Sequence, residues 1–372
     1  MSTLANSKNA LITETNQQNA AEGVRLIRYV DALREAFEQE MERDERVFIF
    51  GLDVDDHKGI QGSTLGLQEK FGKDRVFGTP LSEDAMTGVA IGAAMAGLRP
   101  IHVHIRMDFM LLCMNQLVNM AAKAHYMYNG QVSVPLVVRT MIGRSWGQGG
   151  QHSQALHSLF MHIPGLKVVA PSNANDAKGC MIAAIRDNNP VIFIEHRLLY
   201  AVDGYVPYQS FEQPLGKARV MQEGDDITII AISHMVMEAL RAKKHLETVG
   251  ITAEIIDPIT LWPLDMDTIM QSVAKTGKLL IVDNAWLPCG ASSEIMTKVY
   301  EHCMEHNLSI PRMARMGFAF TTCPTTKPLE NAFYPDSKTI ATRAHALVKQ
   351  SAEAWEIQGN AETEIDAFRG PF

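Results

Sequence analysis

Glu83 opens a run of small residues, and an acid at the edge of an almost side-chain-free helix is the first place where this sequence suggests chemistry. Ser82 and Asp84 flank it, with Ser82 placed to cap the helix. Ala85, Gly88, Ala90, Gly92, Ala93, Ala94, Ala96 and Gly97 follow. So little side-chain volume lets a second backbone or a flat ligand come close, and a carboxylate at such an apolar edge gains proton affinity. Proton exchange with a heterocycle suits that setting; an acid that merely complements the positive helix end is the bland alternative. Two further loops follow apolar runs. One carries Asp108 and Phe109, the other places His152 after the glycine-rich turn of residues 143–151. An acid, an aromatic plate and a histidine together could bind and protonate an aromatic cofactor. Against that, Phe109 could be core and His152 could cap the next helix.

Other chemistries find less support. The glycine-rich turn has no Gly-Lys-Ser/Thr and no Gly-x-Gly-x-x-Gly, so it is a weak phosphate cradle. His102 and His104 alternate on one strand and share a face, but no third metal ligand accompanies them at typical spacing. A Gly-x-Ser-x-Gly nucleophile elbow is missing.

The elements that position these residues alternate. A helix is expected from Val24 to Arg43, where Leu26, Ile27, Val30, Leu33, Phe37 and Met41 recur at spacings of three and four. Short apolar runs at 47–50, 100–105, 134–138, 166–170 and 190–194 mark strands buried on both faces of a parallel sheet. Helix-length segments at 83–97, 109–126 and 174–186 separate them, giving an α/β doubly wound layer. Gly204, Pro207 and Pro214 break the rhythm, and a smaller α/β domain follows. Its strands are expected at 227–232, 253–256, 278–282 and 310–316, its helices at 236–248 and 292–306. The division is a disordered leader at 1–23, a first domain at 24–203, a linker at 204–218, a second domain at 219–350 and a tail at 351–372.

With 372 residues, 46% hydrophobic and 20% charged, the chain can bury two cores. A net charge of −8 and the absence of a basic run argue against nucleic acid. The longest apolar stretch, 85–98, is too short to span a bilayer. Five scattered cysteines suggest neither a zinc knuckle nor a disulfide framework, and with no secretory or transit signal they point to the cytoplasm.

At this point five stretches taken together are informative: Thr79-Pro-Leu-Ser-Glu83, the run from Ile91 to Pro100, Gln151-His-Ser153, Pro164 to Val169, and Ala184 to Pro190. In that order they resemble the beta subunit of 2-oxo acid dehydrogenases of the pyruvate and branched-chain type, thiamine-diphosphate enzymes related to transketolase. The resemblance covers about residues 26–345. It implies a pyrimidine-binding domain followed by a transketolase C-terminal-like domain. It also implies that Glu83 pairs with a ring nitrogen of the cofactor's aminopyrimidine, that Phe109 lies against that ring, that Leu81 lines its pocket, and that His152 faces the substrate and the acyl-transfer step. A structural potassium ion is implied at Leu136, Ala184, Ile185, Asp187 and Asn189, mostly through backbone oxygens. The Gly-Asp-Gly that binds magnesium and diphosphate in thiamine enzymes is not in this chain. The resemblance therefore implies half a site, completed by an alpha subunit in an α2β2 heterotetramer, with a lipoyl acyltransferase as a further partner.

Three positions depart from the family pattern. Gly51-Leu-Asp-Val54 has Leu52 where an acid is usual, Asp257-Pro-Ile-Thr260 has Ile259 where an arginine is usual, and the stretch from Val282 to Gly290 differs from the usual acid and glycine pattern. The expected activity is decarboxylation of a 2-oxo acid with acyl transfer to a lipoyl group. The alternatives are a split transketolase-like or carboligating enzyme with an aldehyde acceptor, and a non-catalytic scaffold. The presence of Glu83, Phe109 and His152 together disfavours the last.

Overall fold

The computed structural model describes residues 23–144, 147–350 and 355–357. The expected leader, apart from Gly23, and most of the expected tail lie outside the described residues. Two parallel-sheet domains are present. In the first, strands β2 (Val47–Gly51), β3 (Val76–Gly78), β4 (Arg99–His104), β5 (Val137–Ile142), β6 (Lys167–Val169) and β7 (Val191–His196) lie in the order β6-β7-β5-β4-β2-β3. All these pairings are parallel. Every residue of β5 and β7 is buried, as strands covered by helices on both faces require.

The helix Ala174–Arg186 forms over the expected span, because Asn173 accepts from Asp176 N as an N-cap and apolar residues recur through it. The start of the first expected helix is different. Val24–Arg28 is a strand, β1, paired antiparallel with β8 (Asp203–Pro207), which the sequence suggested was linker; the helix begins at Tyr29. Lys178 holds the chain after β8 in place. Its side chain is fully buried and donates to the Glu35 carboxylate and to the carbonyls of Pro207, Tyr208 and Gln209 at 2.5–3.0 Å. Between Phe109 and Tyr126 the expected single helix is three pieces: a 3₁₀ turn at Met107–Cys113, a π-type turn at Gln116–Ala121 and an α-helix at Ala122–Met127.

The second domain has β9 (Arg219–Gln222), β10 (Ile227–Ala231), β11 (Ala253–Asp257), β13 (Lys278–Trp286) and β14 (Arg312–Phe318) in the order β14-β13-β10-β11-β9, with only β9 antiparallel. Between β11 and β13 the chain returns to the first domain. There β12 (Thr260–Trp262) pairs antiparallel with β6, making a seventh strand of the first sheet.

Asp257-Pro-Ile-Thr is the junction. Asp257 is fully buried, accepts from Ile259 N at 2.8 Å and from the Ser172 hydroxyl, and Ile259 O accepts from Ala170 N at 2.7 Å. Ile259 sits at φ 55° with its side chain wholly inside the first-domain core. A guanidinium there would lie among apolar side chains, so this packing suits isoleucine. Burial, with Asp176 nearby, pushes the Asp257 carboxyl up to about 7.

Because the folded state holds that proton more tightly than the unfolded chain, the stability it contributes is present at acid pH and declines as pH rises toward 7. Thermal melts of the wild type and of Asp257→Asn between pH 5 and 8 should show the variant gaining on the wild type by several degrees as pH rises; parallel curves would mean that the carboxyl titrates normally.

Candidate active site

Glu83 begins the helix Glu83–Met95, directly beyond the carboxyl ends of β3 and β2. Ser82 occupies the N-cap position but its hydroxyl makes no capping bond; only its carbonyl engages, accepting from Met86 N at 2.9 Å. The acid is partly exposed and borders a small recess with Leu52, Thr79, Pro80, Met86, His102, Val103 and His104. Gly51, at φ 144°, lets β2 run against β4 here: a Cβ on it would meet Val103 O at 2.3 Å. Leu52 makes one wall apolar.

His102 and His104 form another wall, a position that their alternation along one strand does not reveal. His102 stacks on Phe50 at 4.6 Å and meets His104 edge-on at 4.3 Å. Burial lowers His102 to about 4, partly opposed by its contact with Phe50 O. Burial and the His102 charge hold His104 well below the ordinary range, and its Nε2 lies 3.2 Å from Thr87 Oγ1. Both imidazoles are therefore neutral near pH 7. Among the described residues no group of three or more His, Cys, Asp or Glu forms a metal site.

Phe109 and His152 do come together, their rings edge-on at 5.3 Å. Phe109 rides on the 3₁₀ turn, where its N–H donates to Arg106 O at 3.0 Å, and Asp108 next to it accepts from Gln154 N and Nε2 at 3.1 and 3.0 Å. Burial raises the Asp108 carboxyl above its ordinary value, those two bonds opposing it. Leu81 lies outside the recess and is 81% exposed. It joins Val89, Leu111, Leu112, Met120, Tyr126 and Met127 as large apolar side chains left uncovered on the helix Glu83–Met95 and the segment after β4.

The His152 loop is backed by the second domain. A Cβ on Gly147 would lie 2.7 Å from Thr325 O, and one on Gly150 2.3 Å from Thr322 Cγ2. Arg144, at the near end of the loop, donates to Asn331 Oδ1 at 2.5 Å. At the far end His157 Nε2 meets Asp283 Oδ1 at 3.0 Å, both groups buried, while Asp283 Oδ2 accepts from Ser292 N at 3.1 Å. Asp283 lies in the stretch that departs from the family pattern.

The five residues of the expected ion site are also neighbours. Ile185 and Asp187 close the helix Ala174–Arg186, whose negative end favours cations. Arg99 already donates to Ile185 O and Asp187 O at 2.9 and 3.1 Å, Lys167 pairs with the Asp187 carboxylate, Asn189 N donates to that carboxylate at 2.9 Å, and Leu136 O accepts from Val191 N at 2.9 Å. Each carbonyl keeps a second lone pair, so an all-oxygen donor set remains available.

Asp283→Ala should orphan the Ser292 N–H and the His157 ring in a buried setting, at roughly 1–3 kcal/mol per group. Urea denaturation measures this, and a loss below about 0.5 kcal/mol would show the pair to be inert.

Comparison with known proteins agrees with the two-domain fold. Residues 26–202 match the transketolase pyrimidine binding domain and residues 216–340 the transketolase C-terminal domain. The beta subunit of acetoin:2,6-dichlorophenolindophenol oxidoreductase from Cupriavidus necator is 42% identical over 86% of this chain and 96% of its own length. The 2-oxoisovalerate dehydrogenase subunit beta of Bacillus subtilis is 41% identical over 85% and 97%, and the pyruvate dehydrogenase E1 component subunit beta of Rickettsia bellii 44% over 74% and 85%. In fold, a split-gene transketolase described as an inactive beta4 tetramer superposes with a TM-score of 0.71 at 19% identity, over 87% of this chain and 98% of that one. Motif order, domain order and these relatives converge: the chain belongs to the family of beta subunits of the thiamine-diphosphate-dependent 2-oxo acid dehydrogenases.

Proposed function

We propose that this chain supplies the pyrimidine end of a thiamine diphosphate site in an enzyme that decarboxylates a 2-oxo acid and passes the acyl group to a lipoyl acceptor. The observation that carries the reading is the placement of Glu83: one acid on a small-residue helix, bordering a recess walled by apolar side chains and two neutral imidazoles. The recess is too small to enclose a ring, so a heterocycle would lie over its mouth with Glu83 as its one proton partner.

Bound thiamine diphosphate supplies the nucleophilic carbon and the electron sink. The chain's own residues bind, orient and protonate. Glu83 holds a proton at its carboxyl oxygen for the pyrimidine ring nitrogen. Phe109 gives the ring a plate, and His152, edge-on to that plate, serves the substrate and acyl-transfer side. Leu52, Met86 and Val103 exclude water, which strengthens the Glu83 contact. Diphosphate and magnesium belong to an alpha subunit in an α2β2 assembly. The uncovered apolar side chains from Leu81 to Met127 support such a partner, and Leu81 would line the cofactor pocket once covered. A lipoyl acyltransferase is the further partner, and five free cysteines suit a cytoplasmic setting. A potassium ion held by oxygens of Leu136, Ala184, Ile185, Asp187 and Asn189 belongs to the same reading. Since one relative is named for acetoin, that compound belongs in the substrate screen.

Two outcomes check this reading. Glu83→Gln, assembled with the alpha subunit, should still bind thiamine diphosphate but lose at least about a hundredfold in turnover; normal turnover would remove Glu83 from the mechanism. Exchanging potassium for choline should lower the melting temperature of the assembled pair by a few degrees, whereas no change would mean that Arg99 and Lys167 alone satisfy the helix end.

A further inference from the structure

Arg106 has no part in the reading so far, and its position is unusual. It immediately precedes the turn that carries Phe109, and its Nη1 is closed off from solvent with no hydrogen-bond partner. Two more guanidinium groups converge there. Arg197, 1% exposed, reaches beneath the His152 loop and donates to His152 O at 2.9 Å, to Gly143 O and to Gln148 Oε1. Arg144, 5% exposed, covers the Tyr334 ring at 4.4 Å, and its Nε also lacks a partner. Asp108 is the acid beside Arg106 and Arg197, with Oδ1 committed to Gln154 and Oδ2 unpartnered. Burial, and next the Arg106 charge, bring the Arg197 guanidinium down to about 9. A guanidinium whose N–H is shut away from water without a partner, as in Arg106, is costly until an anion joins it. A guanidinium fork matches a carboxylate.

We propose that Arg106, backed by Arg197, receives an anionic group that stays on the acyl chain, so that the preferred substrate is a 2-oxo acid with a second carboxylate. The inference rests on the 2-oxo acid reading above. The reacting carboxylate is a poor occupant, because it leaves as neutral carbon dioxide; an ion pair made in the ground state and lost in the transition state slows the step. A carboxylate at the far end of the chain keeps its pair throughout and orients the reacting carbon beside His152.

The test uses the assembled pair loaded with thiamine diphosphate and compares 2-oxoglutarate with 2-oxopentanoate, which match in chain length and differ in the terminal charge. Binding of unreactive glutarate and of its uncharged isostere glutaramide is followed by calorimetry. The expected result is a kcat/KM for 2-oxoglutarate about tenfold or more above that for 2-oxopentanoate, with glutarate binding and glutaramide not. Arg106→Met should cut the preference at least about tenfold, mainly through KM, and abolish glutarate binding; Arg106→Lys should restore part of both. Equal use of the two substrates, no glutarate binding, or an Arg106→Met effect equal on both 2-oxo acids would overturn the proposal. Arg106-dependent glutarate binding by a pair that turns over no 2-oxo acid would leave the anion site standing and overturn the reading of the reaction instead.

Discussion

The return of the chain from the second domain into the first sheet is the constraint on which the rest of the structure depends. By adding β12 to β6, the chain makes the two domains share a hydrogen-bonded edge. Asp257, Ile259 and Ser172 then fasten that edge from inside the core. With the domains so fixed, segment 322–325 lies against the His152 loop and Asp283 reaches His157. Second-domain atoms thus shape a first-domain loop, and the relative placement of Phe109 and His152 follows from a junction well away from either ring.

Much of this was legible in the sequence because its signals are local. Apolar runs bounded by turn residues gave the buried strands of both sheets, and the helix-length segment between two such runs marked the helix Ala174–Arg186. What was illegible depends on distant partners. Leu26 and Ile27 fit a helical period as well as a strand; β8 decides the matter by pairing with them from the far end of the domain. β12 is three residues long, and no periodicity can be read from three residues. The 3₁₀ and π turns around Phe109 likewise have no composition signature.

The candidate site divides in the same way. Motif order pointed to Glu83, Phe109 and His152, and the structure puts the last two in contact. Alternation offers the two histidines beside Glu83 only as metal ligands, since sharing a face says nothing of what a strand packs against. The three arginines were invisible for a related reason. They come from residues 106, 144 and 197, on three separate strand ends, and only the parallel sheet order gathers them.

The buried histidines also bear on how the recess responds to its surroundings. With His102 losing its proton near pH 4 and His104 lower than usual, neither ring acts as a buffer in the range where cells operate. The wall they form keeps a constant electrical character while bulk acidity drifts by a unit or two. A ligand seated against that wall therefore meets the same uncharged surface whatever the acidity outside.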